Sequence, residues 1–289
     1  MNTVAECLHW AESVLAAQSE ALAECAKVDS QWLLSFVLEK NITWLRAWPD
    51  NALTPEQLAA FKECIARRKN GEPVAYITGR QGFWTLDLSV NNHTLVPRPD
   101  TELLVELALA LPAEPLNVVD LGTGTGAIAL ALKSERQQWQ VTATDISADA
   151  LAVARNNAER FNLPVEFIES SWFDQLGGRQ FNLIVSNPPY IETRDAHLNG
   201  LGVAFEPLGA LVSGEDGLDA IRELTAIAPT HLLAGGWLML EHGYNQGSAV
   251  RALLLGAGFQ QVRTEQDLGQ NDRVTLGQWP GALTSDTGA

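Results

Sequence analysis

Between residues 116 and 241 the chain alternates short, almost unbroken apolar runs with stretches of helical period. No other feature restricts the fold as much. The runs are Leu116–Leu121, Gln140–Asp145, Val165–Glu169, Phe181–Ser186 and Trp237–Glu241. They have the length of strands, and most lack the polar alternate positions of a strand with one wet face, so they predict a parallel sheet covered on both sides. Ala127–Ser134, Ala148–Phe161 and Leu218–Leu233 supply covering helices. Beyond a further helix, Ala249–Leu255, the strands Phe259–Thr264 and Arg273–Trp279 have no helix between them and predict an antiparallel pair. The expected architecture is α/β: seven strands, mostly parallel, ending in an antiparallel C-terminal pair.

The preceding sequence has a different texture. Residues 1–71 read as a small helical bundle. Leu8, Ala11, Val14, Leu15 and Leu22 recur at helical spacing, and Asp29 or Ser30 is expected to cap a second helix through Trp32, Leu33, Phe36 and Val37. Thr54-Pro55-Glu56-Gln57 has the form of a capping box with proline in the first turn. It opens a helix through Leu58, Phe61 and Ile65 that stops at Gly71. The bundle carries no chemistry of its own, and its expected role is substrate recognition. Residues 72–98, with Tyr76, Ile77, Phe83, Trp84, Leu86, Leu88 and Val90 in loose alternation, predict a β-hairpin linker. Pro97-Arg98-Pro99-Asp100-Thr101-Glu102 ends it and caps a helix through Leu103, Leu104, Val105 and Leu107. The α/β domain then occupies residues 99–280, and the small, polar residues 281–289 form an expected flexible tail.

Charge narrows the partners. Nineteen Lys and Arg against thirty-five Asp and Glu leave a net charge of −16, which repels nucleic acid unless one face is locally basic. The tight basic run Arg67-Arg68-Lys69 reads as a solvated helix end. A protein or small-molecule substrate is expected, with no direct nucleic-acid partner. Cys7, Cys25 and Cys64 are an odd, widely spaced set without C-x-x-C, which fits a reducing, cytoplasmic setting. The five histidines have no ligand spacing, so no metal is expected. Neither a signal-peptide pattern nor a run near the ~20 apolar residues of a membrane span occurs.

Three motifs carry chemistry. In Val118-Val119-Asp120-Leu121-Gly122-Thr123-Gly124-Thr125-Gly126-Ala127 a strand ends in a glycine-rich turn that opens a helix, letting backbone approach a ligand closely. Gly122, Gly124 and Ala127 satisfy the dinucleotide pattern G-x-G-x-x-G/A, while Gly122, Gly124 and Gly126 equally satisfy the tighter G-x-G-x-G turn of adenosylmethionine binders. Asp145 ends the next strand 23 residues after Gly122 (145 − 122), near the ~20 expected for a carboxylate on ribose hydroxyls. The third motif, Asn187-Pro188-Pro189-Tyr190, follows the fourth strand at its carboxyl end. A planar amide or exocyclic amine could give its two N–H bonds to Asn187 Oδ1 and the Pro188 carbonyl, with the Tyr190 ring stacked on it. Charge develops on that nitrogen as it attacks, so such acceptors favour the transition state. Hydride transfer has no use for this turn.

These motifs together resemble the class I amino methyltransferases. Gly71-Glu72-Pro73-Val74-Ala75-Tyr76-Ile77-Thr78-Gly79, Pro97–Glu102, Phe205-Glu206-Pro207 and Leu240-Glu241-His242-Gly243 narrow the resemblance to the peptide chain release factor glutamine methyltransferases, the HemK/PrmC family, over nearly the whole chain. The resemblance implies a Rossmann-like methyltransferase fold and N5-methylation of the glutamine in the Gly-Gly-Gln motif of class I release factors, with S-adenosyl-L-methionine converted to S-adenosyl-L-homocysteine, by a monomer. By the same resemblance Gly122, Thr123, Gly124, Thr125 and Gly126 hold the methionine part of the cofactor, Asp145 the ribose, and Trp172 lies near the adenine. Asn187 touches both cofactor and glutamine, and Pro188, Pro189 and Tyr190 complete the glutamine pocket, with Asn187, Pro188 and Tyr190 as the catalytic set. Family members often carry an acid before the tryptophan. Here the segment is Ser170-Ser171-Trp172, so the adenine amine is left to Ser171 or a backbone carbonyl. Glu102, Glu206 and Glu241 read as structural, and His242 as a packing residue. Two other functions fit parts of the sequence: a nucleobase N-methyltransferase, and a nicotinamide-binding or non-catalytic regulatory domain.

Overall fold

The computed structural model describes residues 2–281; all of the expected tail except Gly281 lies outside the described residues. Contacts divide the chain into two units. One runs to Arg80 and takes in Ala196–Phe205; the other comprises Gln81–Asp195 and the chain from Glu206 onward.

The first unit is helical. α1 (Val4–Ala16) opens with a capping box of Thr3 and Glu6, and α4 (Pro55–Lys69) with the expected box of Thr54 and Gln57. Between them lie α2 (Glu20–Leu38) and the short α3 (Ile42–Ala47). The expected cap at Asp29 or Ser30 is not there: both lie buried inside α2, which starts at Glu20 with Ser19 accepting from the Leu22 amide. A buried partner overrides the capping tendency of Asp29, whose carboxylate receives Arg68 Nε at 2.7 Å. Arg68, expected in a solvated turn, is 6% exposed. Tyr76 and Ile77, expected in a hairpin, belong to α5 (Val74–Thr78), where Pro73 starts and left-handed Gly79 ends a single turn. Ile77 joins the core of this unit with Leu33, Leu34, Phe61 and Ile65, and Leu201 packs against the same core.

The second unit begins at Gln81, within the hairpin of β1 (Arg80–Phe83) and β2 (Leu86–Ser89). One 3-10 turn, Pro99–Thr101, leads into α6 (Glu102–Leu109). Then follow β3 (Asn117–Leu121), α7 (Ala127–Glu135), β4 (Gln140–Asp145), α8 (Ala148–Phe161), β5 (Glu166–Glu169), β6 (Phe181–Ser186), α9 (Asp219–His231), β7 (Leu232–Glu241), α10 (Gly247–Gly256), β8 (Gln260–Gln266) and β9 (Asp272–Gln278). The sheet order is β5-β4-β3-β6-β7-β9-β8. The first five strands are parallel, and β9 pairs antiparallel with β7 and β8, as the absence of a helix between the last two runs predicts. β7 begins five residues earlier than the periodicity suggests, because α9 passes directly into it after Pro229 in the last helical turn.

The two sheet faces follow the period-two rule. Val118, Leu183, Val185 and Met239 join α6, α7 and the hairpin in one core. Val119, Leu121, Ile184, Leu238 and Leu240 meet α9 and α10 in the other. The chain runs outward from β3 through β4 to β5, then resumes on the other side with β6. The carboxyl ends of β3 and β6 therefore flank a topological switch point, where sheets of this kind open a crevice.

Candidate active site

The three sequence motifs meet at that crevice. β3, β4 and β6 lie in parallel register, with Leu121 opposite both Thr144 and Ser186, so the residues just beyond each strand end emerge side by side. Ser186 Oγ ties the ends together by donating to the Leu121 carbonyl at 2.7 Å.

The turn after β3 is built from its own strand. Asp120 is fully buried, and its Oδ2 accepts from Thr123 Oγ1 at 2.6 Å and from the Ala129 amide at 3.2 Å, pinning the turn to the start of α7. Its Oδ1 has no hydrogen-bond partner, and burial raises the carboxyl to about 7. Gly122, Gly124 and Gly126 all hold positive φ, which is why the turn needs glycine there. The amides of Gly122 and Thr123 both donate to the Thr144 carbonyl at 2.9 Å, and that of Gly124 to Asp145 Oδ2 at 2.9 Å. The turn therefore offers close approach more than free amide donors. Asn157 of α8 supports it from behind, giving Nδ2 to the Thr125 and Ser89 carbonyls.

Asp145 shares its second oxygen with the Ser147 amide at 2.9 Å, and burial pushes its carboxyl above the usual range. Ser147 caps α8, its side chain accepting from the Ala150 amide. Trp172 has a φ of 43°, and its ring lies so close to Gly122 that a methyl there would come within 3.2 Å of it.

A cavity of about 430 Å³ occupies the crevice, within the usual range for small-molecule sites. Gly122, Thr123, Gly124, Thr125, Asp145, Ser171, Trp172, Asn187 and Pro189 line it. Three predicted site residues do not: Gly126 faces Leu130 and Ala154 in the packed interior, Pro188 is buried, and Tyr190 stands behind the turn. Asn187 gives its Nδ2 to Thr101 Oγ1 at 3.1 Å, and among the described residues its Oδ1 takes no hydrogen bond. Tyr190 donates its hydroxyl to Glu241 Oε1 at 3.3 Å, and burial pushes that phenol well above its ordinary value. Gln246 Nε2 donates to the Tyr190 carbonyl at 3.0 Å and fixes the exit of the turn.

Sequence reasoning missed His93, Thr94, Leu95, Thr101 and Ile146, which also line the cavity. Ile146 carried a usable signal: an apolar residue directly after a strand-end acid, 73% exposed. His93–Leu95 lie in a loop without periodicity. Glu102 accepts from the Trp84 amide at 2.7 Å, a structural role as expected. His242 is fully buried, bonded through Nε2 to Thr275 Oγ1 at 2.8 Å, and burial lowers its basicity.

Two family models match the chain: the PrmC N-terminal domain over residues 6–79 and the methyltransferase small domain over residues 99–202. A release factor glutamine methyltransferase of Pseudomonas aeruginosa is 57% identical over 88% of this chain and 93% of its own length. One from Yersinia pestis is 51% identical over 94% and 98%. The solved methyltransferase of Pyrococcus furiosus superposes with a TM-score of 0.54 at 21% identity, over 75% of this chain and 97% of that one, which bears on the fold alone. With these identities sustained along nearly its full length, and with the turn after β3 and the Asn-Pro-Pro-Tyr turn meeting at one cavity, the chain belongs to the release factor glutamine methyltransferase family.

Proposed function

We propose that this protein transfers a methyl group from S-adenosyl-L-methionine to the side-chain amide nitrogen, N5, of the glutamine in the Gly-Gly-Gln motif of class I peptide chain release factors. The chemistry rests on one observation: Thr101 holds the Asn187 amide nitrogen, which leaves Oδ1 free to accept at the carboxyl end of β6. The choice of acceptor rests on the names of the relatives.

The cavity suits the cofactor on three counts. Gly124 borders open space where any Cβ would stand, Asp145 sets a carboxylate at the end of β4, and Ile146 and Trp172 offer apolar surface for a base. Gly122, Thr123, Gly124 and Thr125 would hold the methionine part and Asp145 the ribose, with Gly126 supporting the turn from within. Ser171 stands where an acid is common in the family and would meet the adenine amine. When bound, the cofactor supplies an electrophilic methyl group on a sulfonium sulfur.

The chain's own task is to make an amide nitrogen nucleophilic. Asn187 Oδ1 and the Pro188 carbonyl each accept one N–H of the glutamine amide and orient its lone pair. As that lone pair bonds to the methyl carbon, positive charge develops on the nitrogen and its N–H bonds become more acidic, so both acceptors bind the transition state more tightly than the ground state. Pro188, Pro189 and Tyr190 complete the acceptor pocket. The surplus proton leaves to solvent after transfer, so no strong base is required. The helical unit would recognise the release factor, and the setting would be cytoplasmic; among the described residues no helix is long and apolar enough to cross a membrane.

The test is a labelled methyl-transfer assay on a class I release factor, native and with Gln→Ala in Gly-Gly-Gln. Label on the native factor alone is expected. Label on RNA or DNA instead would put the nucleobase reading in its place. Thermal protection by NAD but not by S-adenosylhomocysteine would overturn the cofactor assignment.

A further inference from the structure

One buried carboxyl touches the acceptor turn without belonging to it. Glu241 ends β7, one residue beyond the pair Ser186–Leu240, so it stands in register beside Asn187 at the mouth of the crevice. It is 1% exposed and projects to the sheet face that carries Trp237 and Met239, the face covered by α6. Two neighbours converge on it: the Tyr190 hydroxyl at 3.3 Å and the Thr101 hydroxyl. Thr101 also accepts Asn187 Nδ2 at 3.1 Å, so its single proton points away from Asn187. Both ends of the Asn-Pro-Pro-Tyr turn thus lead to the same carboxyl.

Arg273 acts on Glu241 through its charge but forms no ion pair with it. Arg273 of β9 is committed to Asp267 at 3.1 Å and Asp100 at 3.3 Å, and Glu241 Oε2 has no hydrogen-bond partner. A buried carboxyl with one orphaned oxygen costs stability, and burial holds it near 7. A fold that needed only packing at this position would use an apolar residue of similar volume.

We propose that Glu241 is a positioning residue for methyl transfer: through Thr101 it fixes the rotamer that leaves Asn187 Oδ1 facing the acceptor nitrogen, and directly it anchors Tyr190. The role is that of a hydrogen-bond acceptor. It goes beyond the structural role expected from sequence, and it rests on the function proposed above.

The test compares kcat and KM for release-factor methylation, and the affinity for S-adenosylhomocysteine, in Glu241→Leu, Glu241→Gln and Thr101→Val. Glu241→Leu should lower kcat by about 10- to 100-fold, the effect of a reacting group displaced by about 1 Å, while KM and product affinity change little. Glu241→Gln keeps an acceptor of the same shape and should recover most of kcat. Thr101→Val breaks the link to Asn187 and should lower kcat like Glu241→Leu. Wild-type kcat in Glu241→Leu, equal losses in the Gln and Leu variants, or a loss carried by KM and product affinity would each overturn the proposal. If Glu241→Leu fails to fold, Thr101→Val decides: wild-type kcat there overturns the relay. A native enzyme that labels no release factor would overturn the underlying function instead, and that result is visible before any variant is compared.

Discussion

Gly124 and Gly126 stand two residues apart in one turn, both at positive φ, 55° and 83°. A methyl added to each meets different surroundings. At Gly126 it would lie 3.1 Å from Leu130 Cδ1, 3.3 Å from Leu130 Cγ and 3.4 Å from the Ala154 Cβ, all inside the core. At Gly124 nothing lies within 4 Å, and the residue borders the cavity. The left-handed backbone costs alanine about 1–2 kcal/mol at either site. Overpacking at Gly126 adds about 1–3 kcal/mol. Gly126→Ala should therefore destabilise by about 2–5 kcal/mol, or roughly 4–20 °C at about 2–4 °C per kcal/mol. Gly124→Ala should cost only the backbone term in stability, but its methyl takes space from the ligand and should weaken S-adenosylhomocysteine about ten-fold or more. Thermal unfolding reads the first quantity and titration calorimetry the second. A Gly126→Ala protein with native melting temperature and weakened binding, or a Gly124→Ala protein with native affinity, would refute this division of labour.

Asn187→Ala should lower methyl transfer by about 10²–10³-fold or more with the fold intact, since one preorganised acceptor is lost; a retained rate with native circular dichroism would sink its role. Stability should depend on pH with an unusual sign. The Asp120 carboxyl is raised to about 7 from an ordinary 3.8, so between about pH 4 and 7 the folded chain keeps a proton that the unfolded chain has released. That contribution is full below about pH 4 and is lost as pH rises through about 7, at a slope of up to about 1.4 kcal/mol per pH unit. Denaturant unfolding across this window should show Asp120→Asn with a shallower slope than the native chain, and an unchanged slope would count against a buried, protonated Asp120. In the helical unit, Arg68→Met leaves Asp29 buried without its ion partner and should cost about 3–5 kcal/mol in thermal or denaturant unfolding, whereas a loss below about 1 kcal/mol would show that the pair is solvated.

The sheet was legible in the sequence because buried parallel strands are short apolar runs, and those runs recur between helices whose caps are local. β4, β6 and α8 fall on the expected residues, and the strand pair without an intervening helix is the antiparallel one. The cavity-lining turns were legible too, since Gly122, Gly124 and Asn187 follow strand ends by chain position alone. What the sequence could not decide depends on partners far away along the chain. Asp29 caps nothing because Arg68, thirty-nine residues later, takes its carboxylate. Tyr76 and Ile77 alternate like a strand, yet form a helical turn because Ile77 joins a distant helical core. Gly126 satisfies a binding motif but spends its missing side chain on Leu130. Ile146 belongs to no motif, and the segments that hold Thr101 and Glu241 assign neither side chain a place at the site; only the register of β7 against β6 and the covering α6 bring Glu241 under the Asn-Pro-Pro-Tyr turn. Local periodicity and turn chemistry are properties of neighbours in sequence. The satisfaction of a buried polar group is a property of neighbours in space, and the tertiary structure alone supplies those.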